Sequence, residues 1–146
     1  MKKILSLALV LLVILGCLTA CDLAQDLLGA LEDEAESTTK VKEMMVALAD
    51  DNMDDAKNLM HPKVVEAADP AITQMSAFLA GRNVNTLELI SINIHTSTGT
   101  AGATRQEKVG YKVTLDDGAV IYINAEYLSD NKGTGFSAFQ LVLGFV

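Results

Sequence analysis

The chain has 146 residues, with 11 basic against 19 acidic side chains and a net charge of −8. That balance excludes nucleic acid as a partner, which needs clustered lysine and arginine. It also argues against direct adhesion to anionic headgroups, which needs polybasic segments. The only cysteines, Cys17 and Cys21, are too few for a disulfide framework, so the fold must rest on an apolar core.

Lys2 and Lys3 open the chain, an apolar run follows from Ile4 to Leu15, and small residues then lead to a cysteine. That order reads as an export signal. Its ending, Leu18-Thr19-Ala20-Cys21, resembles the lipobox of bacterial lipoproteins, in which a large aliphatic residue and two small ones precede the lipidated cysteine. The resemblance implies that residues 1–20 are a lipoprotein signal peptide and that Cys21 carries acyl chains such as palmitate. It places the protein on the extracytoplasmic face of the cell membrane. One rival is an uncleaved anchor, but Ile4–Ala20 falls short of the roughly 20 residues a spanning helix needs. The other rival is Cys17, where bulky Leu15 fits the middle position less well than Thr19 does before Cys21. Cleavage before Cys21 removes Lys2 and Lys3, leaving 9 basic against 19 acidic residues and a net charge of −10. One acyl chain binds a bilayer marginally and two anchor it stably; bacterial lipoproteins, by resemblance, carry more than one. In some double-membrane bacteria an aspartate after the lipid cysteine, as Asp22 is here, retains a lipoprotein in the inner membrane.

Residues 21–37 read as an acidic tether or a short amphipathic helix: Leu23, Leu27, Leu28 and Leu31 recur at helical spacing among acidic residues. Residues 38–146 then form one domain. Thr38 or Thr39 offers an N-cap, and Val41, Met44, Met45 and Leu48 follow at i, i+3, i+4 and i+7. Asp50-Asp51-Asn52 interrupts this helix. Met53, Ala56, Leu59 and Met60 form a second helical face, stopped at His61-Pro62. Val64 and Val65 read as an apolar bridge. Asp69-Pro70 opens a third helix, with Asp69 as cap and Pro70 at its first position; Ile72, Met75, Phe78 and Leu79 are its apolar face, and Gly81 closes it.

Beyond Gly81 the period changes to two. Four strands are expected, marked by Ile90-Ile92-Ile94, by Val109-Tyr111-Val113-Leu115, by Ile121-Ile123-Ala125-Tyr127 and by Phe139-Leu141-Leu143-Phe145. The connections are Ser97–Thr104, a three-residue hairpin loop Asp116-Asp117-Gly118 with a left-handed glycine, and Ser129–Gly135. The expected fold is α+β: three N-terminal helices packed on a four-stranded antiparallel meander sheet.

Helices first and a curved antiparallel sheet after them resemble the nuclear transport factor 2-like (cystatin-like cone) superfamily. Ala56-Lys57-Asn58-Leu59-Met60-His61-Pro62, behind the acidic junction Asp50–Asp55, looks like the "A-x-x-L-M-H-P" run of small bacterial lipoproteins in that superfamily. Gly133–Phe139 is similar to their glycine-aromatic lead-in to the last strand. The resemblance covers Thr38–Val146, and the chain departs from many members in having no tryptophan. It implies a fold and not an activity, since the superfamily holds isomerases, dehydratases, ligand carriers and interaction domains.

A catalytic reading finds little support. Enzymes of this kind place an acid or a histidine inside the cone, whereas the inward polar groups expected here are Tyr111 and Tyr127. Glu107 shares the inward parity but lies at a strand start, Glu126 and His95 face outward, and His61 sits at a helix end. A calcium reading rests on Asp50, Asn52 and Asp54, but an EF-hand loop would need glycine at Asp55 and glutamate at His61; Asp50 and Asp51 read better as caps of the second helix. No metal or other cofactor is implied. Met45, Met60, Met75, Phe78, Tyr111 and Tyr127 either line an apolar cavity between helices and sheet or simply fill the core, as close packing favours. Tyr122, Asn124, Glu126 and His95 outline an outer sheet face, either a docking surface for a protein or, as is favoured, a simply solvated face. The expected function is a membrane-tethered, non-enzymatic binding or protein-interaction module; the alternative is an enzyme or carrier that uses the cone cavity for an apolar small molecule.

Overall fold

A computed structural model describes residues 35–144. The element order is α1 (Glu36–Ala49), α2 (Met53–Asn58), α3 (Val65–Leu79), β1 (Val84–Gly99), β2 (Gly102–Leu115), β3 (Val120–Asp130) and β4 (Gly133–Leu143). The strands form one antiparallel sheet in the order β1-β2-β3-β4, a meander with β1 and β4 at its edges. The α+β architecture expected from the periodicities is the one observed. Cys21, the Leu23–Leu31 face and Phe145 lie outside the described residues.

The core lies between the helices and one sheet face. Val41, Met44, Met45 and Leu48 of α1 and Ile72 and Leu79 of α3 pack against Val109, Tyr111, Val113, Leu115, Ile121, Ile123, Tyr127 and Phe139. The period-3.6 and period-2 apolar sets thus meet each other, which is what buries both. Phe136 adds edge-to-face contacts with Tyr127 and Phe139, each at 5.1 Å between ring centroids.

Helix boundaries differ from the expected ones in three places. Helix α1 begins at Glu36, with Ser37 and Thr38 buried, so it takes two residues from the expected tether and neither Thr38 nor Thr39 is its N-cap. Its end is a Schellman motif: Asn52 N–H donates to Ala47 O at 2.8 Å and Asp51 N–H to Leu48 O at 3.4 Å, with Asp51 left-handed at φ 54°. Asp50 and Asp51 therefore finish α1, and Asn52 caps α2 by accepting the Asp55 N–H. Helix α2 stops at Asn58, with Leu59 as its C-cap still in helical geometry (φ −84°, ψ −13°), and β4 captures the backbone from Leu59 to His61. Phe136 N–H donates to Leu59 O at 2.8 Å and His61 N–H to Phe136 O at 2.9 Å, a short parallel bridge. Helix α3 begins at Val65, so Val64-Val65 is a helix start and not a bridge, and Pro70 sits inside the helix. It lies past the first turn, so one backbone hydrogen bond of the helix is missing there, at an exposed position. A type II turn ends α3: Ala80 is at φ −50°, ψ 119°, Gly81 at φ 73°, and Arg82 N–H donates to Leu79 O at 2.8 Å.

The strands run further than the apolar alternation suggests. Ser97–Thr104 is not a loop: Gly99 pairs with Gly102 across a two-residue turn. Asp130 likewise pairs with Gly133, so most of Ser129–Gly135 is also strand. The Asp116–Gly118 hairpin is as expected, with Gly118 at φ 83° donating to Leu115 O. The Ile90-Ile92-Ile94 pattern breaks at a register shift between Leu89 and Ser91. Ile90 is the extra residue there and lies exposed, while Leu87, Leu89 and Ile92 pack on the core. Gly110 stands opposite that irregularity, where a Cβ would come within 2.5 Å of Ser91 Oγ.

Candidate functional site

Two ionisable groups that the sequence left outside the interior are buried in it. Glu107 points inward between α1 and β2, where Ser37 N–H donates to its Oε2 at 2.9 Å and Arg105 Nε–H to its Oε1 at 2.7 Å. Burial opposes ionisation, but the hydrogen bonds from Ser37 and the Arg105 charge outweigh it and hold the carboxyl below its usual range. The carboxylate occupies the positive N-terminal end of α1, doing from another element the work expected of Thr38 or Thr39.

His61 is fully buried. Its Nδ1 accepts the Lys63 N–H at 3.2 Å, which places the ring proton on Nε2, facing Asp130 Oδ1 and Gly133 O, each at 3.2 Å. Asp130 is held down to about 2 by the Lys63 ammonium, the Lys132 N–H and His61. The His61 ring therefore ties the α2–α3 connection to the β3–β4 turn. Both nitrogens are engaged inside the protein, as are both Glu107 oxygens, so neither group is presented to a substrate. Tyr127 Oη donates to Glu36 Oε1 at 3.2 Å, and burial together with nearby carboxylates raises its pKa.

The six residues expected to line a cavity or fill the core all lie in or against the core cluster. Tyr111 and Tyr127 are buried among core side chains, and Met45 borders a shallow hollow with Val46, Asn83 and Val84. Met75 and Phe78 line a groove of about 360 Å³ between α3 and β4, with Phe139, Leu141 and Leu143 opposite. Met60 borders a neighbouring hollow of about 270 Å³ that shares Ala71, Phe139 and Gln140 with the first. Together they form one trough along β4, and none of its lining residues is charged. Arg82 lies over the Phe78 ring at 4.7 Å. Val142 and Leu143 at the rim are 44% and 57% exposed, among the most exposed large apolar side chains of the described residues. The alternation Phe139-Leu141-Leu143 was legible in the sequence; that it borders a trough beside α3 was not.

The outer sheet face carries Tyr122, Asn124 and Glu126 on one side of β3, with His95 exposed on β1. Glu126 is half-buried and engaged: Ser137 Oγ donates to it at 2.8 Å and Lys108 lies at 3.5 Å. Asp50 is the C-cap of α1, Asn52 the N-cap of α2 and Asp54 lies in the first turn of α2, and among the described residues no three His, Cys, Asp or Glu side chains group as metal ligands. No described helix is long and apolar enough to cross a membrane. Comparison with known proteins finds no matching family model, no matching curated protein and no matching solved structure.

Proposed function

We propose that this protein is a lipoprotein tethered through Cys21 to the extracytoplasmic face of the cell membrane, and that its domain is a non-enzymatic binding or protein-interaction module. The signal pattern ending at Cys21 supports the tether. The observation that carries the binding reading is the uncharged α3–β4 trough with its exposed Val142 and Leu143 rim. Large apolar side chains grouped at a surface mark binding sites more often than isolated ones do. The engagement of His61 and Glu107 in internal hydrogen bonds removes the two groups best suited to acid–base work. Helices followed by a four-stranded meander also support the nuclear transport factor 2-like cone as the finer fold assignment. A second reading, a carrier of an apolar small molecule, is favoured by Met75 and Phe78, which line the trough.

The test uses the full chain in its own host. Wild type is expected to incorporate labelled fatty acid and to sediment with membranes, and Cys21→Ser to lose both. A photo-reactive residue at Gln74 is expected to cross-link to a protein in membranes, and one at Asn93 is not. Cross-linking to lipid-like small molecules alone would move the assignment to the carrier. Soluble, unlabelled wild type would sink the tether.

A further inference from the structure

The trough ends on an unpaired strand edge, and that edge defines its occupant. Gly144 N–H donates to Val120 O, so in the regular antiparallel ladder residues 138, 140, 142 and 144 turn their backbone groups toward β3. Phe139, Leu141 and Leu143 turn theirs away. Leu59–His61 covers the far side of β4 at Phe136. Among the described residues nothing pairs with that side from Phe139 to Leu143. Edge strands are ordinarily protected by charge, proline or a covering element. Residues 133–144 contain no charged residue and no proline.

We propose that this edge pairs with the same edge of a second copy of the chain, an inference that rests on the interaction-module reading. A two-fold axis at Leu141 sets Leu141 opposite Leu141 and Phe139 opposite Leu143 twice. All the free N–H and C=O groups of the three residues are then used in both molecules, and the two sheets become one. The cover at Phe136 limits the free edge to a short segment, and a second copy brings a segment of the same length. Charge points the same way. The chain is acidic, with a net charge of −8, so two copies repel overall, whereas residues 133–144 and the lining of the adjoining trough carry no charge, and Arg82, over the Phe78 ring beside it, is positive. In this register the exposed Leu143 of each copy moves beside Phe139 of the other, at the mouth of the trough.

The register predicts that Gln140 of one copy faces Val142 of the other in a non-hydrogen-bonded pair, with Cα atoms about 4.5 Å apart. The full chain carrying Gln140→Cys with Val142→Cys, in host membranes, is therefore expected to give a disulfide-linked dimer on mild oxidation. Wild type, with only Cys17 and Cys21, and the variant Asn93→Cys are the controls and should not. Adding Leu143→Lys should reduce the dimer about tenfold or more, because it sets a lysine into the apolar contact on both sides. The fold of the single chain should be kept, with an unchanged circular dichroism spectrum, since Leu143 is largely exposed. No dimer above the controls, or a dimer indifferent to Leu143→Lys, overturns the proposal. An adduct to a different protein in place of the dimer overturns the second copy as occupant while leaving the interaction module standing. Neither dimer nor adduct, together with no cross-link from Gln74, overturns both.

Discussion

The carboxylate of Glu107, on β2, accepts the backbone N–H of Ser37, in the first turn of α1, across 70 residues of sequence at 2.9 Å. One side chain thus caps the first described helix, satisfies a buried donor and anchors the start of the domain to the sheet. Glu107→Ala is expected to cost about 1–2 kcal/mol, the range for losing a helix N-cap. Glu107→Gln keeps an acceptor and should cost less. Urea denaturation monitored by circular dichroism measures both, through a shifted midpoint at unchanged slope.

The same carboxyl makes stability depend on acid. Its folded pKa lies below the ordinary value of 4.5, so the unfolded chain binds the proton more readily. The contribution is complete above the unfolded pKa and is lost as pH falls through the folded one. Asp130 behaves alike, with an ordinary value of 3.8 and a folded value of about 2. Wild type should therefore lose stability progressively from about pH 4.5 toward pH 2. Glu107→Gln should flatten the upper part of that loss and Asp130→Asn the lower part. Denaturation midpoints collected from pH 6 to pH 2 check this, and parallel curves for wild type and both variants would refute it.

His61 holds two connections together from inside the protein. Replacing it by Phe keeps much of the volume but removes partners from the Lys63 N–H and the Asp130 carboxylate. The expected loss is about 1–3 kcal/mol, as for a buried polar group left unpaired. Any activity later found for the protein should persist in His61→Phe once the fold is intact, because the ring is spent on structure.

Gly135 lies against the chain at Met60 and His61. A Cβ there would stand 2.6 Å from His61 N and 2.7 Å from Met60 O, both backbone atoms that cannot turn aside. Gly135→Ala should push Leu59–His61 off β4 and cost about 2 kcal/mol or more. Hydrogen exchange should show lost protection at the Phe136 and His61 amides, which donate across that bridge.

Pro70 offers the opposite sign. It removes one hydrogen bond from the interior of α3, a cost of up to about 3 kcal/mol that its lower unfolded-state entropy only partly offsets. Pro70→Ala is expected to raise stability by about 1–2 kcal/mol, read as a higher melting temperature.

These positions mark where local patterns stop being sufficient. The spacing of Val41, Met44, Met45 and Leu48 and the alternation through Val109–Leu115 and Ile121–Tyr127 are local properties of the chain, and they determined that helices precede a meander sheet. Gly118 and Gly81 could be assigned to turns because a left-handed residue is needed there whatever surrounds it. The Asp69-Pro70 signal is local too, yet it misplaced the start of α3: packing of the whole helix outweighs one missing hydrogen bond. Tertiary structure alone decided that Glu107 caps α1, that His61 is interior, that Ile90 falls on a bulge and that Leu59–Met60 join β4. Each depends on a partner 69 or more residues away or on pairing register, and neither is encoded in the spacing of neighbouring residues. The same holds for the trough. The sequence supplied an uncharged strand with apolar residues at every second position; only the assembled sheet put that strand at an edge, beside α3, where among the described residues Phe139, Leu141 and Leu143 have no strand partner on their outer side.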